Sequence, residues 1–241
     1  MFEGKIKAKL LKDIVGAAAA VVDEAKLNIT PTGFILNAVD PANVAMVSLK
    51  LSKDSFEEYE TKEATVIGLD MSKLNDILGF GTDEISLRLD TMQSKMHIDV
   101  SNMKYSMSLL DPESLRREPK ALALEFSATA AMKQVDFKQG LKIAEKVGDR
   151  VTIGISDGAF WMKAESDMDS MEWKLLGDQV ALSGDGVSSM YSLDYVLALA
   201  KGSSPADDVT VLLGNNYPLK LCFELEGNEV SYLLAPRIEA E

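Results

Sequence analysis

The sequence repeats its own pattern at about half its length, and that repeat limits the folds open to it. Gly33 closes the turn Thr30-Pro31-Thr32-Gly33 and Gly158 closes Ser156-Asp157-Gly158, 125 residues apart (158 − 33). Leu110-Asp111-Pro112 has a counterpart in Leu234-Ala235-Pro236, 124 residues on (236 − 112). Helix-like stretches recur at offsets of 126 (137 − 11) and 121 (195 − 74). A near-constant offset at half of a 241-residue chain marks an internal duplication. A chain this long could form one large domain or two of ordinary size, and the offset selects two similar halves.

Within the first half, Leu10, Leu11, Ile14, Val15, Ala18 and Val22 predict a helix over Lys9–Val22. Alternating apolar residues predict strands at Phe34–Val39, Val44–Leu51, Glu63–Leu69, Glu84–Asp90, Lys95–Val100 and Lys104–Leu110. Asp70 or Ser72 can cap a short helix ending at Leu78, because a side-chain oxygen there accepts from a free amide of the first turn. In the second half, Phe137, Leu141, Ile143, Ala144 and Val147 predict a helix over Asp136–Val147, and Leu193–Ala200 a second. Strands are expected at Val151–Ile155, Ala159–Ala164, Met171–Leu176, Gln179–Ser183, Val209–Leu213, Leu219–Leu225 and Val230–Leu234. Each half reads helix, strands, helix, strands. The expected fold class is α+β, with two similar domains over 1–112 and 127–241, each with two helices packed on antiparallel sheets. The joining segment, 113–126, follows Pro112, contains Pro119 and carries five charged residues between Glu113 and Lys120. Proline lacks an amide donor and pushes its predecessor towards extended geometry, so the segment is expected to be a crossing loop.

Much chemistry is excluded. His97 is the only histidine and faces away from the apolar side of its strand, so no histidine triad or multi-histidine metal site can be built. Cys222 is the only cysteine, which rules out an internal disulfide and fits a reducing compartment. Neither a P-loop nor a GxGxxG motif occurs. Asp54–Glu60 and Asp167–Asp169 could hold a hard cation, but their ligands lack regular spacing, and a solvated surface is the simpler reading. No cofactor, metal or catalytic activity is expected. The apolar run Ile14–Val22 is too short to span a membrane and the amino terminus lacks a signal-peptide pattern, so a soluble cytoplasmic protein is expected. The net charge of −13, from 38 acids against 25 Lys and Arg, opposes tight wrapping of nucleic acid. A local basic patch can still act, since salt screens distant acids over about 8 Å.

Lys138, Lys142 and Lys146 follow one another at helical spacing, and Lys12, Lys73 and Lys201 sit on or beside the other three helices. Solvated faces carry lysine in any fold, and charge alone favours that reading. The repeat supports another: four equivalent helices lining one surface would line it with lysines. Asp13, Asp76, Asp194 and Glu145 would dilute that surface, leaving weak and mobile phosphate contacts.

Two stretches, Val39-Asp40-Pro41-Ala42-Asn43-Val44-Ala45-Met46-Val47 and Tyr232-Leu233-Leu234-Ala235-Pro236-Arg237-Ile238-Glu239, resemble the sliding clamps of the PCNA family, particularly the archaeal ones. The likeness covers essentially the whole chain, including Leu69–Leu78, Leu109–Pro112 and Phe137–Asp149. It implies three subunits closed into a ring, with helices lining the hole and strands outside. It also implies the function of encircling duplex DNA and tethering DNA polymerase, flap endonuclease and DNA ligase after placement by a clamp loader. By position, the DNA-facing residues are Lys12, Lys73, Lys142, Lys146 and Lys201. Asp76 and Asp194 stand where relatives often carry a basic residue. The implied pocket for partner peptides, which takes a glutamine, an aliphatic plug and two aromatics, comprises Val39, Asn43, Val44, Met46, Leu122, Leu124, Pro218, Leu233, Leu234, Ala235 and Pro236. The implied subunit edges are Lys104–Leu110, with Tyr105, Met107 and Leu109, and Met171–Leu176, with Met171, Trp173 and Leu175. Such a contact is head-to-tail and closes only at the right angle. A checkpoint-like clamp with few partners, and a metal-dependent hydrolase using Asp167 or Asp169, remain as alternatives at this point.

Overall fold

A computed structural model describes residues 1–119 and 123–238. The chain divides into two compact units, one built mainly from Met1–Pro41 and the stretch following Val47, the other from the second half together with Ala42–Met46. Leu225–Val230 belongs to the first unit and Ser231 onwards to the second.

In the first unit the elements follow as β1 (Phe2–Lys7), α1 (Ala8–Ala19), β2 (Glu24–Thr30), β3 (Gly33–Val39), β4 (Ala45–Ser52), β5 (Phe56–Thr61), β6 (Thr65–Asp70), α2 (Met71–Leu78), β7 (Glu84–Asp90), β8 (Lys95–Val100) and β9 (Met103–Ser108). Five strands form a sheet in the order β5-β1-β7-β8-β9, and four others lie in the order β4-β3-β2-β6. The second half contains β10 (Ala128–Lys133), α3 (Gln134–Ala144), β11 (Arg150–Ser156), β12 (Ala159–Glu165), β13 (Ser170–Leu176), β14 (Val180–Ser183), β15 (Val187–Ser192), α4 (Leu193–Gly202), β16 (Asp208–Leu213), β17 (Leu219–Leu225) and β18 (Asn228–Leu234). Their orders are β14-β10-β16-β17-β18 and β13-β12-β11-β15, which repeat the first half strand for strand. The starts of the first four elements are displaced by one constant, 126 residues (128 − 2, 134 − 8, 150 − 24, 159 − 33).

The duplication is therefore fuller than the pattern of helix, strands, helix, strands, because each half opens on a strand. β1 reads FEGKIK and β10 reads ATAAMK, and neither has the run of β-branched and aromatic residues that marks a strand. Tertiary pairing decides both: β1 is held between β5 and β7, and β10 between β14 and β16. β15, VSSMYS, escaped for the same reason and is fixed by its ladder with β11. Helix ends also differ. α1 stops at Ala19 instead of Val22, and α3 at Ala144 instead of Val147, which leaves Ile143 40% exposed and off the core.

Each helix pair packs its apolar face on the sheets of its own half. α1 buries Leu10, Leu11, Ile14, Val15, Ala17 and Ala18. Phe2, Phe34, Phe56 and Tyr59 form an aromatic cluster with centroids 4.9–6.5 Å apart. The Tyr59 hydroxyl donates to the Thr30 carbonyl, and burial pushes its pKa up to about 12. Gly33, at φ 137°, is the position where glycine is required: a Cβ there would lie 2.1 Å from the Leu51 carbonyl oxygen. A cavity of about 40 Å³ remains in this core, lined by apolar side chains including Leu11, Ile14, Leu49, Leu69, Met71 and Leu87. At about 24 cal/mol per Å³ such a void costs on the order of 1 kcal/mol.

The second half packs more tightly at one matching place. Trp173 lies over Gly140 of α3, and a Cβ on Gly140 would stand 2.7 Å from Trp173 Cε3 and 2.8 Å from Met162 Sδ. Gly140→Ala would gain about 1 kcal/mol of helix propensity, but overpacking costs about 1–3 kcal/mol. The variant is expected to be less stable by about 1 kcal/mol net, read as a lower denaturant midpoint.

Candidate functional site

The helices place the five candidate lysines in two groups. Lys12 on α1 and Lys73 on α2 are exposed in the first unit, where α1 and α2 pack together. Lys142 on α3, Lys146 in the turn after it and Lys201 on α4 are exposed in the second, where α3 and α4 pack together. Among the described residues, the lysines in salt bridges are Lys5, Lys7, Lys9, Lys133, Lys163 and Lys174, so all five candidate amines stand without an ionic partner. Lys138 stands apart from its row, half-buried and donating to Ser204 Oγ at 3.1 Å. Several acids near these helices have local roles. Asp13 accepts from Lys9 at 2.7 Å, and Asp70 caps α2 by accepting from the Lys73 amide at 2.8 Å. Asp136 and Asp194 sit in the first turns of α3 and α4, where the helix dipole favours an acid.

Most of the candidate peptide-binding residues fall in the second unit. The Ala235 amide donates to the Val44 carbonyl at 2.9 Å, and the Arg237 amide donates to the Met190 carbonyl at 2.7 Å. These bonds pin Leu233–Pro236 as a strap. Val44, Met46, Leu124, Pro218, Leu233, Ala235 and Pro236 are half-buried, as suits a partly open apolar surface. Leu234 is fully buried and belongs to the core. Asn43 is exposed at φ 58°, a left-handed conformation that asparagine tolerates. Val39 closes β3 in the first unit, and Leu122 lies outside the described residues.

Two residues that the sequence reading missed complete the picture. Phe126 packs edge-on against Tyr217, with centroids 5.6 Å apart at 82°. The Tyr217 amide donates to Ser189 Oγ at 2.8 Å, and its carbonyl accepts from the Tyr191 hydroxyl at 2.8 Å. Ser189 in turn donates to the Gly214 carbonyl at 2.8 Å. β15 therefore holds both parts of the surface from adjacent residues: Met190 takes the strap, and Ser189 takes the loop that carries Tyr217 and Pro218. Both missed aromatics adjoin residues the sequence did single out, Phe126 two places after Leu124 and Tyr217 just before Pro218. Arg237 also donates from Nη1 to Asp149 Oδ2 at 3.0 Å and holds that carboxyl below the usual carboxylate range.

The candidate edge strands are edges. Among the described residues β9 pairs only with β8, and β13 only with β12. Met107 and Leu175 are buried within their own halves, while Tyr105, Leu109, Met171 and Trp173 are half-buried. His97 Nδ1 lies 2.7 Å from Ser106 Oγ on β9. Asp169 sits in a turn, its amide donating to Ser166 Oγ at 3.0 Å. Among the described residues no group of three His, Cys, Asp or Glu could hold a metal, and no helix is long and apolar enough to cross a membrane.

Comparison with known proteins gives one consistent result. The family described as "Proliferating cell nuclear antigen, N-terminal domain" matches residues 1–111, and its C-terminal counterpart matches residues 122–238. A "DNA polymerase sliding clamp" from Methanosarcina barkeri is 39% identical, with both chains covered in full, and one from Methanocella arvoryzae is also 39% identical over its full length. The solved structure "C-terminal region of FEN-1 bound to A. fulgidus PCNA" is similar with a TM-score of 0.93, at 35% identity and full coverage of both chains.

The latch between Arg237 and Asp149 has a pH signature. Because the folded carboxyl titrates below its ordinary value, the ion pair contributes fully above the ordinary carboxylate range and is lost as pH falls through the lowered value. Asp149→Asn is expected to speed hydrogen exchange at the Arg237 amide at neutral pH. That difference from the parent should vanish in acid; equal exchange at neutral pH would show that the latch does not hold the strap.

Proposed function

Since the chain belongs to the proliferating cell nuclear antigen family of DNA sliding clamps, we propose that three copies close head to tail around duplex DNA and hold partner enzymes by short peptides. The reading rests on one observation above all, the way the sheet edges are managed. An exposed edge presents unpaired backbone groups to any other strand, and proteins cover or disrupt it. Here β6 is covered by Leu110, whose amide donates to the Gly68 carbonyl at 3.0 Å, and β15 is covered in the matching way by Arg237. β5 carries Glu57, Glu58 and Glu60 and pairs with a shifted register, and β14 has only four residues. Among the described residues β9 and β13, six and seven residues long, have no such cover. One from each of two copies would complete the other, with Tyr105, Met107 and Leu109 behind one edge and Met171, Trp173 and Leu175 behind the other.

The five unpaired lysines then face the duplex, and Asp76 and Asp194 keep their hold weak. Weak contact is enough, because a closed ring is retained by topology and must slide. The strap and its neighbours, Val44, Met46, Leu124, Pro218, Leu233, Ala235 and Pro236, take the aliphatic plug and aromatic pair of a partner's tail. A polymerase, a flap endonuclease, a ligase and a clamp loader are the expected partners. The clamp works in the cytoplasm, needs no cofactor and performs no catalysis of its own. Residues 1–112 and 127–241 act as its two domains, with 113–126 connecting them.

Loaded protein should stay on closed circular DNA and leave when the circle is cut; equal loss from both would refute encirclement. Light scattering should give three chains per particle at micromolar concentration. Replacing Leu122 and Leu124 by serine should leave that assembly intact and weaken binding of an aromatic-ended peptide by roughly tenfold or more. Loss of assembly would make the segment structural. Lys142→Ala should flatten the dependence of log affinity for DNA on log salt by about one.

A further inference from the structure

The first unit's core contains a void lined in part by Leu11 and Leu69, two positions at which the second half carries aromatic side chains. Its lining draws Leu11, Ile14 and Val15 from α1 and Leu49 and Leu69 from β4 and β6, among others, and no lining residue is more than 8% exposed. Every lining side chain is apolar, so a water inside would find no hydrogen-bond partner, and cavities of this kind stay dry. Atoms facing such a gap lose the dispersion contacts they would otherwise make. At the equivalent positions the second half carries Phe137 for Leu11 (137 − 11 = 126) and Tyr191 for Leu69, both fully buried. It also sets Trp173 on β13 across Gly140, the counterpart of Ile14 (140 − 14 = 126). The same frame thus accepts rings where the first half has branched aliphatic chains.

We propose that this cavity is a binding site for one small nonpolar molecule without hydrogen-bonding groups, such as a rare-gas atom or a light hydrocarbon. A guest small enough to enter the void would restore the missing contacts without displacing water or leaving a polar group unpaired. It would stabilise the first unit alone, since binding to the native state only shifts that state's stability by mass action. The asymmetry between otherwise matching halves would then be a ligand site and not a loss of packing with no use.

Xenon is the probe. With methyl-labelled protein under increasing xenon pressure, saturable shifts are expected at Leu11, Ile14 and Leu69, with none at Leu141 or Leu199 in the other core, together with a rise in thermal midpoint. Leu11→Phe, which copies the second half, and Val15→Ile, which adds one methylene, should each remove the xenon shifts without lowering the midpoint. Unsaturable shifts in the parent protein would overturn the proposal. So would shifts that persist in both variants, or failure of both variants to fold, because a core without spare volume rejects even one methylene.

Discussion

Backbone hydrogen bonding at sheet edges is the constraint on which the rest of this molecule depends. Buried and half-buried amides must be paired, and an open sheet always leaves a row that is not. Duplication doubles the problem, and the chain solves it in the same manner twice. After its last strand each half turns back and donates one amide to an edge of its other sheet, Leu110 to Gly68 and Arg237 to Met190. Gly68 allows the first of these because a Cβ there would meet the Leu110 carbonyl oxygen at 2.5 Å. What stays open is then informative, and among the described residues β9 and β13 are the edges that remain uncovered.

The second of those returns also forms part of the candidate peptide-binding surface. The stretch that follows β18 is an edge cover first, held by the Ala235 amide on the Val44 carbonyl and by the Arg237 amide on the Met190 carbonyl. Ser189 and Met190, adjacent on β15, reach opposite parts of that surface. Tyr191 follows directly and anchors the same loop from inside the core, where burial pushes its hydroxyl up to about 12. One short strand, half of it serine, organises the whole surface. The residues of this candidate surface are thus set in place by backbone bonds, and a surface so held would need little further ordering to take a ligand.

Electrostatics act more gently. Lys12, Lys73, Lys142, Lys146 and Lys201 are exposed; among the neighbouring acids Asp70 caps α2, Asp136 and Asp194 sit in first turns where the dipole favours them, and Asp13 pairs with Lys9. The net charge of −13 opposes the approach of DNA, and at physiological salt screening confines that repulsion to about 8 Å. That balance suits a ring held on DNA by closure.

The duplication, the α+β class, the four helices and most strands were legible in the amino-acid order, because period and offset are properties of sequence. The cap of α2 by Asp70 was legible too, since it is local. β1, β10 and β15 were not, because Gly4, the alanines of β10 and the serines of β15 carry no strand preference and are held by neighbours distant in sequence. Phe126 and Tyr217 escaped for a related reason: their contact joins residues 126 and 217, and no local pattern reports such a pair. Leu234 looked like its neighbours Leu233 and Ala235, and only burial separates core from surface along an alternating strand. The void in the first core is the clearest case. Leu11, Leu49 and Leu69 are sound core residues one by one, and their shortfall in volume exists only once α1, β4 and β6 are packed against one another. Sequence by itself determined what repeats and which chemistry is present; tertiary structure alone decided which edges stay open, which residues meet and where the core falls short, because each depends on atoms far apart in the chain.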